Sequence, residues 1–191
     1  MTFSILGDGS WASTLANLLS SRFSVLLWSP DKRYARYLSR YRKNTRYLPE
    51  VKIPRNVIIT SCIEEALGFS RDIILAVPTQ FIRKVLKRVP SKHFKKIGRI
   101  LSCAKGVELS TFKRPSQILE EYIRIHKISC LSGPTIALEV YRKTPTCCVV
   151  ASRRESEAIF WQRVLSNDYF RIYTSQDVVG VELGGALKNI V

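Results

Sequence analysis

The sequence has few acidic residues, few histidines and no long apolar run, and the last of these shortages excludes a membrane-spanning helix. Its 191 residues include 31 Lys and Arg, 15 Asp and Glu, and 2 His. No stretch approaches the roughly 18 to 20 apolar residues of a membrane helix, and the N-terminus lacks the layout of a signal peptide. With 46% hydrophobic residues, the chain is too apolar for a disordered basic tail. We therefore expect one main domain that is soluble and cytoplasmic, with no membrane partner.

The cysteines do not form a recognisable disulfide or zinc pattern. There are five, an odd number, and no two show C-x-x-C spacing: Cys62, Cys103, Cys130, Cys147 and Cys148. Most of them lie in apolar runs, which is typical of reduced, buried thiols. The sequence predicts no metal site.

The net charge of +16 is concentrated in two blocks. Residues 31–55 carry +7, residues 81–114 carry +10, and the remainder carries −1. A basic protein of this kind could bind nucleic acid, but no RNA-binding aromatic motif or helix-turn-helix is present. Solvated helix faces explain such blocks equally well, so nucleic acid is not the favoured partner.

Apolar runs rich in β-branched residues alternate with segments of helical spacing. The predicted strands are 3–6, 25–28, 57–59, 73–77, 100–103, 128–131 and 147–151. The predicted helices are 10–21, 31–41, 63–69, 81–89, 115–125, 155–165 and 178–191. Continuous apolar strands are typical of sheets covered on both faces, and strand–helix alternation favours right-handed βαβ units. The fold class is therefore α/β, with a doubly wound, largely parallel sheet.

The first strand leads directly into a glycine-rich turn and a helix. The sequence from Gly7 to Ala12 is G-x-G-x-x-A, in the strand–turn–helix context that gives this pattern meaning. Gly7 would permit the sharp turn, and Gly9 would leave room for a pyrophosphate. The amides of Ser10 and Trp11 would meet the phosphates at the positive end of the helix. This favours a Rossmann-like dinucleotide site over an ordinary glycine-rich turn.

The segment after the second strand leaves the choice of cofactor open. An acid at this point binds the adenosine ribose of NAD, whereas basic groups accommodate the 2′-phosphate of NADP. Asp31 favours NAD, and Lys32 and Arg33 favour NADP. The predicted cofactor is NAD or NADP.

Seven motifs match one family in order and spacing. They are residues 7–15, NTRYLP at 44–49, VPTQ at 77–80, AKGVE at 104–108, LSGPTIA at 131–137, PT at 145–146 and GVELGGALKN at 180–189. The chain resembles the bacterial NAD(P)-dependent glycerol-3-phosphate dehydrogenases. The resemblance implies reversible hydride transfer between NAD(P)H and dihydroxyacetone phosphate, making sn-glycerol 3-phosphate for phospholipid synthesis. It leaves open whether the protein is a homodimer.

The resemblance also implies roles for individual residues. Lys105 would contact both cofactor and substrate, Gly133 and Thr135 would contact substrate, and Ala137 would lie against the cofactor. Tyr47 belongs to a family loop near the nicotinamide and would contact the cofactor there.

Lys188 is the predicted catalytic residue and a substrate contact. Carbonyl reduction needs a proton donor, and His93 and His126 lie outside every matched motif. A lysine can donate if burial or a neighbouring cation lowers its pKa, and Lys105 could be that cation.

Two departures from the family pattern change the prediction. Pro30 occupies the cofactor-binding position where the family usually has a basic residue beside the adenosine. The family's second, helical domain would begin near the end of this chain and is absent from it. We expect a dinucleotide-binding domain over 1–177 and the truncated start of the second domain over 178–191. Such a chain would bind cofactor but turn over poorly; a cofactor sensor without chemistry is the rival hypothesis.

Overall fold

The computed structural model of the protein describes residues 1–123 and 128–188, and its strands and helices follow one another along the chain. The strands are β1 (Thr2–Leu6), β2 (Ser24–Trp28), β3 (Lys43–Asn44), β4 (Leu48–Lys52), β5 (Ile58–Thr60), β6 (Asp72–Leu75), β7 (Arg99–Ser102), β8 (Ile128–Ser132), β9 (Thr146–Ser152) and β10 (Phe170–Ser175). The helices are α1 (Ser10–Ser20), α2 (Lys32–Tyr41), α3 (Ile63–Phe69), α4 (Thr79–Leu86), α5 (Ser91–Phe94), α6 (Pro115–Glu120), α7 (Ala137–Tyr141), α8 (Glu155–Leu165) and α9 (Val178–Leu187).

Eight of the strands form one sheet, in the order β10-β9-β8-β7-β6-β1-β2-β5. The pairings from β5 to β8 are parallel, β9 is antiparallel to β8, and β10 is parallel to β9. The run β5-β2-β1-β6-β7-β8 is the doubly wound dinucleotide order, in which strand order reverses between β1 and β6. The predicted Rossmann-like class is confirmed, and the topology creates a crevice at the carboxyl ends of β1 and β6.

The sheet separates two hydrophobic cores. Phe3 and Ile5 of β1 face a core that includes Leu15 of α1 and Trp161 of α8. Leu6, at the end of the same strand, faces a second core built with α3, α4 and α6. Both faces of the central strands are therefore buried, which accounts for their continuous apolar sequences.

Several short elements differ from the sequence prediction. The strand β10, the β3–β4 hairpin and the helices α5 and α7 were not predicted. Helix α4 begins two residues earlier than expected, with Pro78 at its N-cap. Helix α6 ends at Glu120, before the predicted end. The predicted helices 115–125 and 178–191 extend into 124–127 and 189–191, which lie outside the described residues. His126 lies in the first of these two gaps.

The prediction of buried thiols is correct for three of the five cysteines and wrong for two. Cys103, Cys130 and Cys148 are buried, but Cys62 is half-buried and Cys147 is exposed. Consecutive side chains on a strand point to opposite faces, so on β9 only one of the pair Cys147 and Cys148 can face the core.

An ion-pair network fixes the segment between β7 and α6. Arg83 on α4 donates to both carboxylate oxygens of Glu108 at 2.9 Å and also pairs with Glu121. Lys113 donates to Glu121 at 2.7 Å. These hydrogen bonds, from Arg83 first and then Lys113, lower the pKa of Glu121 to about 2.

We expect the contribution of Glu121 to stability to disappear in acid. A depressed carboxyl pKa stabilises the fold above the ordinary value of 4.5, and this stabilisation is lost as the pH falls toward about 2. The urea midpoint of the wild type should exceed that of Glu121→Gln at pH 7, and the difference should vanish near pH 2. Glu120→Gln, in a more exposed pair with Arg153, is the control and should change the midpoint little. A difference for Glu121→Gln that does not vary with pH would contradict this account.

Candidate functional site

The turn between β1 and α1 requires glycine at its first position. Gly7 has a φ of +132°, and a Cβ there would lie 2.5 Å from the carbonyl oxygen of Ala76. The N–H of Gly7 donates to the Trp28 carbonyl at 3.0 Å, and the N–H of Ala76 donates to the Leu6 carbonyl at 2.8 Å. The turn is therefore fixed between the ends of β2 and β6, at the crevice that the topology creates.

Gly9 keeps the start of α1 open. It is the N-cap of the helix, and apart from Gly9 and its two chain neighbours no heavy atom of the described residues lies within 4 Å of the place its Cβ would take. Ser10 and Trp11 follow as the first helical residues, and the Trp11 ring also meets Phe170 edge-on. Free amides at a helix N-terminus carry partial positive charge, so this arrangement is suited to a phosphate group.

The buried side chain of Asn44 ties the β3–β4 hairpin to this turn. Its Nδ2 donates to the Asp8 carbonyl at 2.8 Å and to the Ser13 hydroxyl at 2.7 Å. Its Oδ1 accepts from the Tyr34 hydroxyl at 2.6 Å and from the Tyr47 N–H at 3.2 Å. Sequence reasoning matched Asn44 to a motif without giving it a role. The structure places Tyr47 beside Tyr34, with its ring half exposed.

An acid and a base meet at the carboxyl end of β2. Asp31 caps α2, where its Oδ1 accepts from the N–H groups of Arg33 and Tyr34 at 2.8 and 3.0 Å. Its Oδ2 accepts from Arg46 at 2.8 Å, and this hydrogen bond is the main cause of a lowered Asp31 pKa. Pro30, next to this pair, is exposed and offers no charge.

Most of the predicted site residues line two adjoining depressions. Ser10, Trp11, Lys105, Thr135 and Ala137 line a cleft of about 200 Å³ together with Cys103, Leu131, Ser132 and Cys148. The neighbouring depression includes Gly133, Lys188 and again Ser132.

Ser132 was missed by sequence reasoning. Its side chain is shared by both depressions and 92% of the residue's surface is buried, and its hydroxyl has no hydrogen-bond partner within the described part of the chain. A buried hydroxyl without a partner is costly, so a ligand that supplies one would be stabilised here. No property of a single serine in the sequence distinguishes it from other buried serines.

Two lysines bind the same loop. Lys105 Nζ donates to the Gly133 carbonyl at 3.0 Å, and Lys188 Nζ donates to the Thr135 carbonyl at 3.4 Å. Partial burial, and then the nearby charge of Lys188, lower the pKa of Lys105. The sequence predicted that these two cations are neighbours. The shift that the structure shows falls on Lys105, which therefore joins Lys188 as a candidate proton donor.

Replacing Lys188 with Ala should raise the pKa of Lys105, because one of the two causes of its depression is removed. Lys188→Arg keeps the charge and should leave the Lys105 pKa nearly unchanged. NMR titration of chemically methylated lysines, with the Lys105 signal assigned by Lys105→Arg, measures this. An unchanged Lys105 pKa in Lys188→Ala would show that burial alone depresses it.

Close approaches between backbones shape the floor of this region. A Cβ on Gly133 would lie 3.0 Å from the Cα of Cys148, so glycine lets the end of β8 lie against β9. A Cβ on Gly185 would lie 2.2 Å from the Ser132 hydroxyl, so glycine lets α9 lie close to the end of β8.

The thiols in the cleft are not activated. Burial raises the pKa of Cys103, and it raises the pKa of Cys148 to about 12. A protonated thiol is a poor nucleophile, so Lys105 is the better candidate for chemistry in this cleft.

Glu182 fastens α9 to the N-terminus of α6. Its carboxylate accepts from the Ser116 N–H at 2.8 Å, from the Ser116 hydroxyl at 2.7 Å and from Arg114 at 2.5 Å. Glu182 is 5% exposed. Lys188 follows at the C-cap of the same helix.

Within residues 1–123 and 128–188, no cluster of three or more His, Cys, Asp or Glu side chains could hold a metal ion. Across the same residues, no helix is both long and apolar enough to cross a bilayer.

Comparison with known proteins agrees with this geometry. Residues 2–158 match the family model described as the NAD-dependent glycerol-3-phosphate dehydrogenase N-terminus. The chain belongs to this family. A glycerol-3-phosphate dehydrogenase [NAD(P)+] of Halothermothrix orenii is 42% identical over 190 residues, which are 98% of this chain and 55% of the relative. One of Ehrlichia ruminantium is 39% identical over 194 residues, covering 100% of this chain and 59% of the relative. This member of the family thus spans little more than half the length of these curated relatives.

Solved structures of two glycerol-3-phosphate dehydrogenases have a similar fold over nearly all of this chain. The glycerol-3-phosphate dehydrogenase of Coxiella burnetii has a TM-score of 0.89 at 27% identity, over 99% of this chain and 58% of that chain. The Plasmodium falciparum glycerol-3-phosphate dehydrogenase also has a TM-score of 0.89 at 27% identity, over 100% of this chain and 56% of that chain. The glycerol-3-phosphate dehydrogenase N-terminal domain is NAD-binding, so the cofactor of this domain is NAD or NADP.

Proposed function

We propose that this chain binds NAD(P)H and, as part of a glycerol-3-phosphate dehydrogenase, reduces dihydroxyacetone phosphate reversibly to sn-glycerol 3-phosphate. The observation that carries the proposal is the pair Lys105 and Lys188, both bound to the loop from Gly133 to Thr135 beside the start of α1. The proposal includes a cytoplasmic location, supply of glycerol 3-phosphate to phospholipid synthesis, and a homodimer as one arrangement to test.

The residues at the start of α1 fit the cofactor's pyrophosphate. The space in front of Gly9 is open, and the amides that follow it supply hydrogen-bond donors for phosphate oxygens. When bound, the cofactor supplies a hydride. Ser10, Trp11 and Ala137 would lie against it, and Tyr47 would contact it from the hairpin.

The two lysines fit a phosphorylated ketone. Their charges would attract the anionic substrate, and either ammonium group could give a proton to the carbonyl oxygen that develops negative charge. Lys188 is the proposed donor. Lys105 would hold the same oxygen; its lowered pKa makes it a stronger acid than a free lysine, so it is the alternative donor. The Ser132 hydroxyl would hydrogen-bond the substrate from the floor of the cleft.

The test separates binding from chemistry. NAD(P)H binding is measured by the fluorescence of the nucleotide. Reduction of dihydroxyacetone phosphate is measured by the loss of the absorbance of the reduced nicotinamide as NAD(P)H is oxidised. Both are measured on this chain and on a chimera in which it is joined to the remainder of the Halothermothrix orenii relative. We expect binding in both proteins and strong turnover in the chimera. In Lys188→Ala, binding should persist and turnover should fall by orders of magnitude. Binding without turnover in every form would support a sensor instead.

A further inference from the structure

The Asp31–Arg46 pair bears on the choice between the 2′-hydroxyl of NAD and the 2′-phosphate of NADP. An acid at the end of the second strand binds the ribose hydroxyls of NAD, whereas an arginine accommodates the 2′-phosphate. The sequence offers both charges after β2 and leaves the question open. The structure shows how each of the two groups is already engaged.

Asp31 is poorly placed to bind ribose hydroxyls. One carboxylate oxygen accepts two N–H groups of α2, and the other accepts from Arg46. Each oxygen therefore already has a donor, and the negative charge is balanced both by the helix N-terminus and by a guanidinium. A ribose hydroxyl would have to compete with these partners.

Arg46 has contacts that orient it but remains accessible. Its backbone N–H donates to the Tyr34 hydroxyl at 3.1 Å, and that hydroxyl in turn donates to Asn44. Its guanidinium lies 4.0 Å from the Tyr34 ring centroid, yet the Arg46 side chain is 50% exposed. A stacked guanidinium is pre-organised, and its planar fork matches the oxygens of a phosphate.

We propose that Arg46 is the residue of this chain that binds the 2′-phosphate, and that it makes the chain prefer NADPH to NADH. The inference rests on the proposed function, because it needs the turn at Gly7 and Gly9 to bind a dinucleotide. Arg46 thereby supplies the charge that Pro30 lacks, and the exposed Lys32 and Arg33 add to the positive field.

The test is a pair of fluorescence titrations of the 191-residue chain with NADPH and NADH. We expect NADPH to bind at least about tenfold more tightly, since a charge-assisted pair with phosphate is worth more than 1.4 kcal/mol. Arg46→Ala should remove this preference by weakening NADPH binding, with little change for NADH. Arg55→Ala is the matched control: it removes an exposed charge from the same basic block, but at the amino end of β5, away from the crevice.

A second variant strengthens the test by acting in the opposite direction. Asn is as good an N-cap as Asp, so Asp31→Asn should preserve α2 while removing a negative charge beside the phosphate. NADPH should then bind several-fold more tightly than it binds the wild type. Adenosine 2′-monophosphate, which has no nicotinamide, should compete with NADPH in the wild type and fail to compete in Arg46→Ala.

Three results would overturn the inference. The first is equal or tighter binding of NADH by the wild type. The second is an equal loss of NADPH affinity in Arg46→Ala and Arg55→Ala, which would indicate a general charge effect. The third is no binding of either nucleotide, and only this result would also contradict the proposed dinucleotide function.

Discussion

Gly7→Ala is expected to lower the free energy of unfolding by more than about 3 kcal/mol, because a strained backbone and a steric clash act at the same place. The φ of +132° is one that side chains rarely adopt, and the added Cβ would lie 2.5 Å from the carbonyl oxygen of Ala76. Neither atom can move away cheaply, because the Cβ is bonded directly to the backbone and the oxygen is part of it, at the end of the central strands. The loss should be visible as a lower urea midpoint by circular dichroism.

Gly9→Ala is the matched control, two residues away. Its φ is −69° and its Cβ position is empty, so the change in stability should be below about 1 kcal/mol. The new methyl group would occupy the space proposed for the pyrophosphate, so NAD(P)H binding should fall at least tenfold, or about 1.4 kcal/mol. Equal destabilisation by both variants would contradict this division between a folding glycine and a binding glycine.

The central part of the fold was predictable because burial on both faces leaves a clear signal. The strands from β1 to β8 in the main sheet read as continuous apolar runs, and each was predicted to within two residues. Strand β10 was missed because it lies at the sheet edge. Phe170 and Ile172 are buried there while Arg171 and Tyr173 are exposed, so its pattern alternates instead of being continuous.

The hairpin and the short helices were also missed, but the reason is different from that for β10. Their positions depend on contacts with residues far along the chain. Asn44 binds Asp8 and Ser13, 36 and 31 residues earlier, and neither spacing is visible in the sequence. The resemblance to a family identified the motif, but only the structure shows that it holds Arg46 against Asp31.

The candidate site was predictable as a set of residues but not as an electrostatic arrangement. Five predicted residues share one cleft, and Lys188 lies in the adjoining depression. That the lowered pKa is on Lys105 depends on how much of its hydration the fold removes. Burial of one amine relative to another is a property of the packed structure.

Glu182→Ala is expected to lower the free energy of unfolding by about 3 to 5 kcal/mol, because it removes one partner of a buried pair. The side chains of Arg114 and Glu182 are 14% and 2% exposed, and the Ser116 N–H would also lose its acceptor. Glu50→Ala is the control, since it breaks a pair with Arg142 whose side chains are 54% and 60% exposed. It should cost no more than about 1 kcal/mol. Urea denaturation measures both, and similar losses would contradict the argument.

The same variant should also release Lys188. Helix α9 exposes Val179, Leu183 and Leu187, which lie on one face at intervals of four residues, so apolar packing on that face does not hold it in the described chain. Within that part of the structure the carboxylate of Glu182 is its principal polar anchor. If the helix moves away, the Lys105 pKa should rise, as is expected for Lys188→Ala, and amide hydrogen exchange over 178–188 should accelerate under native conditions. A destabilised variant with an unchanged Lys105 pKa would show that the close packing of Gly185 on Ser132 is enough to hold the lysine in place.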